Sequence, residues 1–294
     1  MRKPEPVRTG EDPPVDFLLP AARRYFYKPL AAFFNAFLLR AYAAAGLRLE
    51  GAVLDAGCFE GSFGVLLSEA LGLRPRRLVG IDLNHSALRR PDPRARGLYR
   101  SLVLASATDL PFADRSFNTV LFNASLFAVE PGPQAALREA RRVLPPGGSL
   151  WISVPTELYS RYYWLTRLLG RLGLSARARA YTRAMDRRLM QSHVFSAGGW
   201  RALLEEHGFS VRDCRGFFSP ALTTYWSLLA WTPWRVIGAS RLIPGIWPRR
   251  ILSRLWAAAF RRRYRQTGPG LDPESSTYIL IRAEKTGEVP AQRP

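Results

Sequence analysis

Residues 53–64 read Val-Leu-Asp-Ala-Gly-Cys-Phe-Glu-Gly-Ser-Phe-Gly. A short apolar run ends at Asp55 and is followed by a turn rich in small residues, after which a helix can begin near Leu66 and Leu67. A second apolar run, residues 78–81, ends at Asp82. This order predicts a strand, a loop, a helix and a second strand, the unit with which parallel sheets bind adenosine-containing ligands.

The residue types in the loop indicate which ligand it suits. Glycines let the backbone approach a ligand closely, and a carboxylate after the second strand accepts hydrogen bonds from ribose hydroxyls. The dinucleotide fingerprint needs a glycine two residues after Gly57, where this chain has Phe59. Asp55 would repel a pyrophosphate and attract an ammonium group. The loop therefore favours S-adenosylmethionine, which carries an ammonium and no phosphate, over a nicotinamide dinucleotide.

Several segments together resemble one family. The loop resembles motif I of class I S-adenosylmethionine-dependent methyltransferases, acid-x-Gly-x-Gly-x-Gly, with Phe59 in place of the middle glycine. Residues 80–83, Gly-Ile-Asp-Leu, resemble motif II, and residues 107–112, Ala-Thr-Asp-Leu-Pro-Phe, resemble the segment after the third strand. Residues 117–123 and 137–148 are similar to the fourth strand and to the helix and turn before the fifth. The combination is typical of the type-11-like small-molecule group.

This resemblance implies S-adenosylmethionine as the cofactor and gives individual residues expected roles. Asp55 would pair with the ammonium, the backbone around Gly57 and Gly61 would line the methionine tail, Asp82 would hold the ribose, and Asp109 would meet the adenine amino group. The predicted cofactor-binding residues are Asp55, Gly57, Cys58, Gly61, Asp82, Leu83, Thr108, Asp109, Leu110 and Asn123.

A catalytic base is harder to identify. Methyl transfer from an activated sulfonium mainly needs alignment, and a base is needed only when the acceptor must lose a proton. Many relatives have histidines just after strand four, where this chain has Phe127-Ala128. His193 resembles a histidine near the substrate pocket of the family and is the predicted base, with ordinary loop packing as the alternative. The other candidates are His85, His207, Glu157, Asp186, Tyr159, Tyr162 and Tyr163. No metal is predicted, since Cys58 and Cys214 offer no ligand spacing.

Strand and helix patterns alternate through the middle of the chain, which predicts an α/β fold with helices on both faces of a mostly parallel, Rossmann-like, doubly wound sheet. A helix is expected over 133–144, and Ser196 is a candidate N-cap for a later helix. The seven expected strands are 52–55, 77–82, 101–105, 117–122, 149–154, 209–214 and 277–281.

The expected organisation has five parts around this sheet. A flexible arm (1–15) precedes an N-terminal helical lid (16–49), for which membrane contact is the alternative interpretation. The methyltransferase core comprises 50–215 and 277–284, a helical insertion occupies 216–276, and 285–294 is a flexible tail. Within the core, 156–192 is expected to cover the substrate.

The insertion combines apolar and basic residues. Its longest uncharged run, 216–234, is interrupted by Pro220 and Pro233, which argues against a simple membrane-spanning helix. After Pro248 a basic amphipathic helix is predicted, and its composition suits either a helix in the lipid headgroup region or a cap packed on the sheet. The expected apolar face is Ile251, Leu252, Leu255, Trp256, Ala259 and Phe260.

Composition gives broader limits. The formal net charge is +20, and of 43 basic residues only three are lysines (Lys3, Lys28, Lys285), so the arginine bias can partly reflect genome composition. The start of the chain lacks the pattern of a signal peptide, which predicts a cytoplasmic location with peripheral contact to the inner membrane face. The expected activity is methyl transfer to a lipophilic or membrane-delivered small molecule, at oxygen before nitrogen or carbon. An RNA methyltransferase and a non-catalytic cofactor-binding protein are the alternatives, and nucleic acid is not the expected partner because no RNA-binding module is recognised.

Overall fold

A computed structural model describes residues 16–25, 28–230, 249–268 and 270–287. Its centre is a seven-stranded sheet in the order β3-β2-β1-β4-β5-β7-β6, parallel except for β7, which is antiparallel to both neighbours. The predicted fold class is therefore confirmed. The strands are β1 (Ala52–Ala56), β2 (Arg77–Asp82), β3 (Ser101–Leu104), β4 (Thr119–Asn123), β5 (Ser149–Pro155), β6 (Phe209–Phe218) and β7 (Tyr278–Lys285).

Helices cover both faces of this sheet, as apolar runs of parallel strands require. Ser196 caps α10 as predicted, accepting a hydrogen bond from the Gly199 N–H at 3.0 Å. A 3-10 turn spans Leu126–Ala128. The helices are α1 (Leu18–Arg24), α2 (Pro29–Ala44), α3 (Ser62–Leu71), α4 (His85–Arg89), α5 (Ala95–Leu98), α6 (Pro133–Val143), α7 (Leu158–Arg161), α8 (Trp164–Arg171), α9 (Ser175–Arg188), α10 (Ala197–Glu206), α11 (Pro220–Leu229) and α12 (Arg249–Gln266).

Strand ends differ from the sequence expectation in ways that have local causes. β4 begins at Thr119 rather than Phe117, and just before it the Asn118 side chain accepts the Ala52 N–H at 2.9 Å. β6 continues to Phe218, three residues into the segment expected to be insertion, and β7 continues to Lys285, the first residue of the expected tail. Both extensions are part of the long antiparallel pairing between β6 and β7.

The N-terminal helices pack on the far edge of the sheet and on the C-terminal part of the chain. Rings of α2 form an aromatic cluster with β6 and β7, in which Phe34 lies 4.9 Å from Tyr278 between ring centroids. The buried Arg40 guanidinium donates a hydrogen bond of 2.8 Å to the Tyr264 carbonyl and lies 4.2 Å from that ring. α1 also contacts α12 directly.

The insertion is described in part. The expected flexible arm 1–15, most of the expected tail and residues 231–248, with three of the insertion's tryptophans, lie outside the described residues. On α12, Trp256 and Phe260 are buried as expected, together with Ser253, Ala257 and Tyr264. Ile251 and Leu255 of the expected apolar face are instead 42% and 53% exposed. No helix among the described residues is long and apolar enough to cross a membrane.

Candidate functional site

A cavity of about 670 Å³ opens at the carboxyl ends of the parallel strands. It lies where the strand order reverses between β1 and β4, the position at which doubly wound sheets bind ligands. Of the predicted cofactor residues, Gly57, Asp82, Leu83 and Asn123 line it. The other lining residues are Ala56, Phe59, Ile81, Asn84, Ala105, Ser106, Ala107, Phe122, Ala124, Ser125, Ala128, Val129, Glu130 and Met190.

The loop after β1 is held in place by backbone hydrogen bonds. The Gly57 and Cys58 N–H groups both donate to the Ile81 carbonyl, at 2.8 and 2.9 Å, and the Gly61 N–H donates to the Cys58 carbonyl at 2.9 Å. Gly57 has a φ of +81°, and a Cβ atom there would lie 2.5 Å from the Ser125 Cβ. Only glycine allows this loop to pass so close to the end of β4.

Phe59 occupies the position of the family's middle glycine and keeps a glycine-like backbone, with φ at +51°. Its N–H donates to Asp82 Oδ2 at 2.7 Å, which offsets part of the cost of the left-handed conformation. The ring is 45% exposed and lines the cavity, with the Lys28 ammonium 5.9 Å from its centroid. The ring therefore forms a wall of the cavity and does not pack beneath the loop.

Asp82, at the end of β2, is fixed by the backbone on both sides. Its Oδ2 accepts the Phe59 N–H and its Oδ1 accepts the Asn84 N–H, both at 2.7 Å. Each carboxylate oxygen keeps further lone-pair capacity, and the side chain lines the cavity. This arrangement can accept two hydroxyl donors without moving.

Asp55, at the end of β1, is buried beneath the cavity in a network of four side chains. Tyr99 donates its hydroxyl to Asp55 Oδ2 at 2.6 Å, and the Asn123 amide donates to Oδ1 at 3.2 Å. The Tyr42 hydroxyl donates to Asn123 Oδ1, which fixes the orientation of that amide. Burial raises the pKa of Asp55 to about 6, although the hydrogen bonds from Tyr99 and Asn123 lower it. A cationic group above this carboxylate would favour its ionised form.

Tyr99 fits because nearby glycines lack side chains. A Cβ atom on Gly64 would lie 1.8 Å from the Tyr99 hydroxyl, and one on Gly80 would lie 3.0 Å from its ring. On Gly61 the nearest ring atom would be 3.1 Å away. These glycines serve the packing of a tyrosine against Asp55, whereas Gly57 is the glycine that borders the cavity.

The remaining predicted cofactor residues lie around the cavity rather than in its lining. Cys58 is buried, and burial together with the Asp55 and Asp82 charges raises the pKa of its thiol, so it is a packing residue. Past β3 the wall is formed by 105–107, while Thr108 and Asp109 follow it in the chain and Asp109 is exposed. Leu110 is buried, and its N–H donates to Glu139 Oε2 at 2.7 Å.

His193 lies beside the opposite part of the cavity. The imidazole Nε2 of His193 is 3.5 Å from Oε2 of Glu130, a cavity-lining residue. The backbone N–H of His193 donates to the Phe127 carbonyl at 3.0 Å. Three of the other candidate bases, Asp186, Tyr163 and His207, are engaged elsewhere. Asp186 accepts the Tyr163 hydroxyl at 3.0 Å, and His207 Nδ1 is 2.9 Å from the Leu203 carbonyl at the end of α10. Among the described residues no cluster of three or more metal-ligating side chains occurs.

The sequence reasoning missed several contributors to this site. Tyr42 and Tyr99 complete the Asp55 network, and Glu130 and Met190 line the cavity. For Tyr99, an available signal was its position two residues before β3, the strand beside β2. No local sequence pattern indicates the role of Tyr42, because it lies on α2, far along the chain from its partner Asn123.

Comparison with known proteins agrees with this geometry. Residues 54–152 match a family model described as a methyltransferase domain. This part of the chain is therefore similar to methyltransferase domains, and it contains the loop after β1 and the strand ends that form the cavity.

Individual relatives are similar over part of their length. A demethylmenaquinone methyltransferase of Symbiobacterium thermophilum is 30% identical over 44% of this chain and 58% of its own. A fatty-acid O-methyltransferase of Mycolicibacterium smegmatis is 35% identical over 36% of this chain and 38% of its own. The chain thus spans less than two thirds of either relative. A crystal structure of a putative sarcosine dimethylglycine methyltransferase from Galdieria sulphuraria shares the fold, with a TM-score of 0.54, 16% identity and 87% of each chain covered.

Proposed function

We propose that this protein transfers a methyl group from S-adenosylmethionine to an oxygen atom of a hydrophobic small molecule. The observation that carries the proposal is the cavity itself, because a polar end built on β1, β2 and β4 continues into an apolar end. The apolar end is lined by Phe122, Ala124, Ala128, Val129 and Met190.

The polar end fits the proposed cofactor. Asp82 presents a fixed carboxylate for the ribose hydroxyls, and Gly57 leaves room for the methionine tail where a Cβ atom would clash. Asp55, held by Tyr99 and Asn123, supplies negative charge for the ammonium, directly or through water. When bound, the sulfonium supplies an already activated methyl group. We assign the remaining predicted residues, Cys58, Gly61, Leu83, Thr108, Asp109 and Leu110, to the loops that surround the cofactor.

The apolar end supports a hydrophobic acceptor. Apart from Glu130, the lining near Val129 and Met190 is apolar, and burial of apolar surface would supply most of the binding free energy. The names of the two curated relatives point in the same direction, since one acts on demethylmenaquinone and the other methylates fatty acids at oxygen.

Deprotonation of a hydroxyl acceptor is the role we propose for His193. Glu130 faces its Nε2 at 3.5 Å, so the carboxylate can orient the ring and stabilise the imidazolium formed when His193 accepts the proton. For a carboxylate acceptor, which has no proton to lose, His193 would instead only contact the substrate.

Membrane contact through 216–276 is part of the same proposal. The exposed Ile251 and Leu255 of α12 lie beside the exposed Arg250 and Arg254, a composition suited to anionic headgroups. Because the opposite face of α12 is buried, deletion of the segment would disturb the fold. The double substitution Ile251→Gln with Leu255→Gln is therefore the appropriate test, and unchanged binding to vesicles would contradict membrane contact at α12.

The function is tested by transfer of radiolabelled methyl groups from S-adenosylmethionine into an extract separated into lipid, RNA and water-soluble fractions. We expect label in the lipid fraction with the wild-type protein and much less with Asp82→Ala. Label confined to RNA would contradict the proposal. Normal cofactor binding without transfer to any fraction would instead indicate a cofactor-binding protein without catalysis.

A further inference from the structure

The hairpin of α8 and α9 (residues 164–188, with Met190 following) carries an apolar surface that nothing in the described part of the chain covers. None of the residues of α8 is buried. Leu168 and Leu172, one helical turn apart, are 37% and 62% exposed, and Leu174 in the turn between the helices is 37% exposed. Three exposed leucines within seven residues form a small but continuous apolar tip.

The same segment carries strong positive charge and a single acidic residue, Asp186, near its end. From Leu158 to Met185 the chain has six arginines and neither aspartate nor glutamate, and the first acid is Asp186. The arginines are Arg161, Arg167, Arg171, Arg177, Arg179 and Arg183. Those nearest the apolar tip, Arg171, Arg177 and Arg179, are exposed and form no ion pair with the described residues. The tip is therefore an apolar centre with a cationic rim.

This surface is rigidly attached to the body of the protein. The Thr166 and Thr182 hydroxyls are 2.7 Å apart and join the two helices, and the Trp164 N–H donates to Ser227 Oγ of α11 at 2.8 Å. Ala178 and Met185 of α9 are buried. The exposed leucines are thus held outwards by an ordered hairpin.

The hairpin also leads to the cavity. Met190 follows α9 by two residues, lines the apolar end of the cavity and is itself 66% exposed. The tip and Met190 lie at opposite ends of α9, whose 14 residues span about 21 Å. The hairpin thus joins an exposed apolar surface to the rim of the cavity through one helix.

We infer that the α8–α9 hairpin docks on an anionic lipid bilayer and holds the cavity near that surface, an inference that rests on the proposed hydrophobic substrate. Leucines insert at the level of the acyl chains while arginines contact headgroup phosphates, the arrangement expected of an interfacial anchor. Nucleic acid would also attract the arginines, but it gives no reason for three exposed leucines without an exposed aromatic ring at the tip.

The test measures co-sedimentation of the full chain, without cofactor, with vesicles of phosphatidylcholine containing phosphatidylglycerol. One variant replaces Leu168, Leu172 and Leu174 by Gln, and a second replaces Arg171, Arg177 and Arg179 by Gln. The matched control replaces Arg76, Arg96 and Arg100 by Gln, three exposed arginines near the β2–β3 edge of the sheet. We expect each hairpin variant to lower the partition coefficient by at least about tenfold, since each anchor contributes about fivefold, while the control stays near wild type.

Three results would overturn the inference: no binding of the wild-type chain to anionic vesicles, equal losses in the control and hairpin variants, or RNA binding that only the arginine variant weakens while vesicle binding stays intact. Because no cofactor is present, failure of membrane docking is separate from failure of methyl transfer. Transfer to a detergent-solubilised lipid extract by a chain that does not bind vesicles would leave the proposed methyl transfer standing and would contradict only the two membrane contacts, that of α12 and that of the hairpin.

Discussion

The two ends of the cavity are built in different ways. The polar end is set on strand ends, and backbone hydrogen bonds and glycines fix its carboxylates, as the two N–H groups on Asp82 illustrate. The apolar end combines Phe122 of β4 with residues of connections and of the 3-10 turn, and the chain around Met190 leads through α9 to a surface with exposed leucines. Fixed polar geometry suits a ligand that does not vary within a class of enzymes, whereas adaptable apolar contacts suit an acceptor that does. Substitutions should therefore have different signatures at the two ends.

The largest expected effect is on catalysis at the apolar end. His193→Gln should lower kcat by about 10²–10⁴ if the acceptor is a hydroxyl, since a positioned base contributes that much. The cofactor Kd should not change, because the ring lies away from Asp55 and Asp82. Steady-state kinetics and calorimetry separate the two quantities, with His207→Gln as the control. An unchanged kcat would mean that no base acts from this position.

The next effect is on stability and contrasts a glycine packed against Tyr99 of the Asp55 network with a glycine in the α8–α9 hairpin. Gly64→Ala should lower the free energy of unfolding by about 3 kcal/mol, because its Cβ would lie 1.8 Å from the Tyr99 hydroxyl. Gly170→Ala in α8, where no heavy atom lies within 4 Å, should instead raise it by about 0.5–1 kcal/mol. Urea unfolding measures both. Similar changes in the free energy of unfolding in the two variants would contradict the conclusion that Gly64 is closely packed and Gly170 is not.

A smaller effect concerns the two acids expected to touch the cofactor. Asp82→Ala should weaken cofactor binding by about 2 kcal/mol, roughly 30-fold in Kd, through loss of charged hydrogen-bond acceptors. Asp109→Ala should cost less, because Asp109 is exposed and follows the cavity-lining residues. Calorimetry with S-adenosylmethionine compares them. A larger loss of affinity in Asp109→Ala than in Asp82→Ala would mean that the acid expected at the adenine contributes more to binding than the acid expected at the ribose.

The smallest effect is a pH dependence at Asp55. Its pKa of about 6 in the folded protein is above the ordinary value of 3.8, so its protonation stabilises the fold at low pH. That contribution is lost as the pH rises through about 6. Cofactor binding needs the ionised carboxylate, so affinity should rise by up to about tenfold per pH unit from pH 5 to 6, with release of a proton.

Calorimetry in two buffers of different ionisation enthalpy measures this proton release. Asp55→Asn should bind weakly and without that pH dependence. A wild-type affinity that is flat between pH 5 and 7 would show that Asp55 is ionised before the cofactor arrives, or that it does not meet the ammonium.

The sheet was predictable because its signals are local. β1, β2 and β5 are short apolar runs bounded by turn residues, and the structure has them within one or two residues of the expected limits. The acids at the ends of β1 and β2 were recognisable for the same reason. Because neighbouring strands in a sheet are a fixed distance apart, the positions of these acids at the strand ends also place them at the cavity.

The rest depends on contacts between distant segments. Tyr42 on α2 donates to Asn123, and Tyr99 donates to Asp55 through space left by Gly64 and Gly80. The sequence around either tyrosine therefore does not indicate its hydrogen-bond partner. On α12, periodicity predicted a single apolar stripe. The helix instead buries a face that includes Ser253 and Tyr264 and leaves Leu255 exposed, because its packing partners are helices from the other end of the chain.

The contact between Arg40 and Tyr264 also constrains how the chain reaches its native state. These residues are 224 positions apart, and the Ser253 hydroxyl donates at 3.2 Å to the Ala22 carbonyl, 231 positions away. During synthesis the first helices emerge long before α12 exists, with the apolar rings of α2 unpaired. Their packing is therefore completed only after α12 has been synthesised, late in the formation of the native structure.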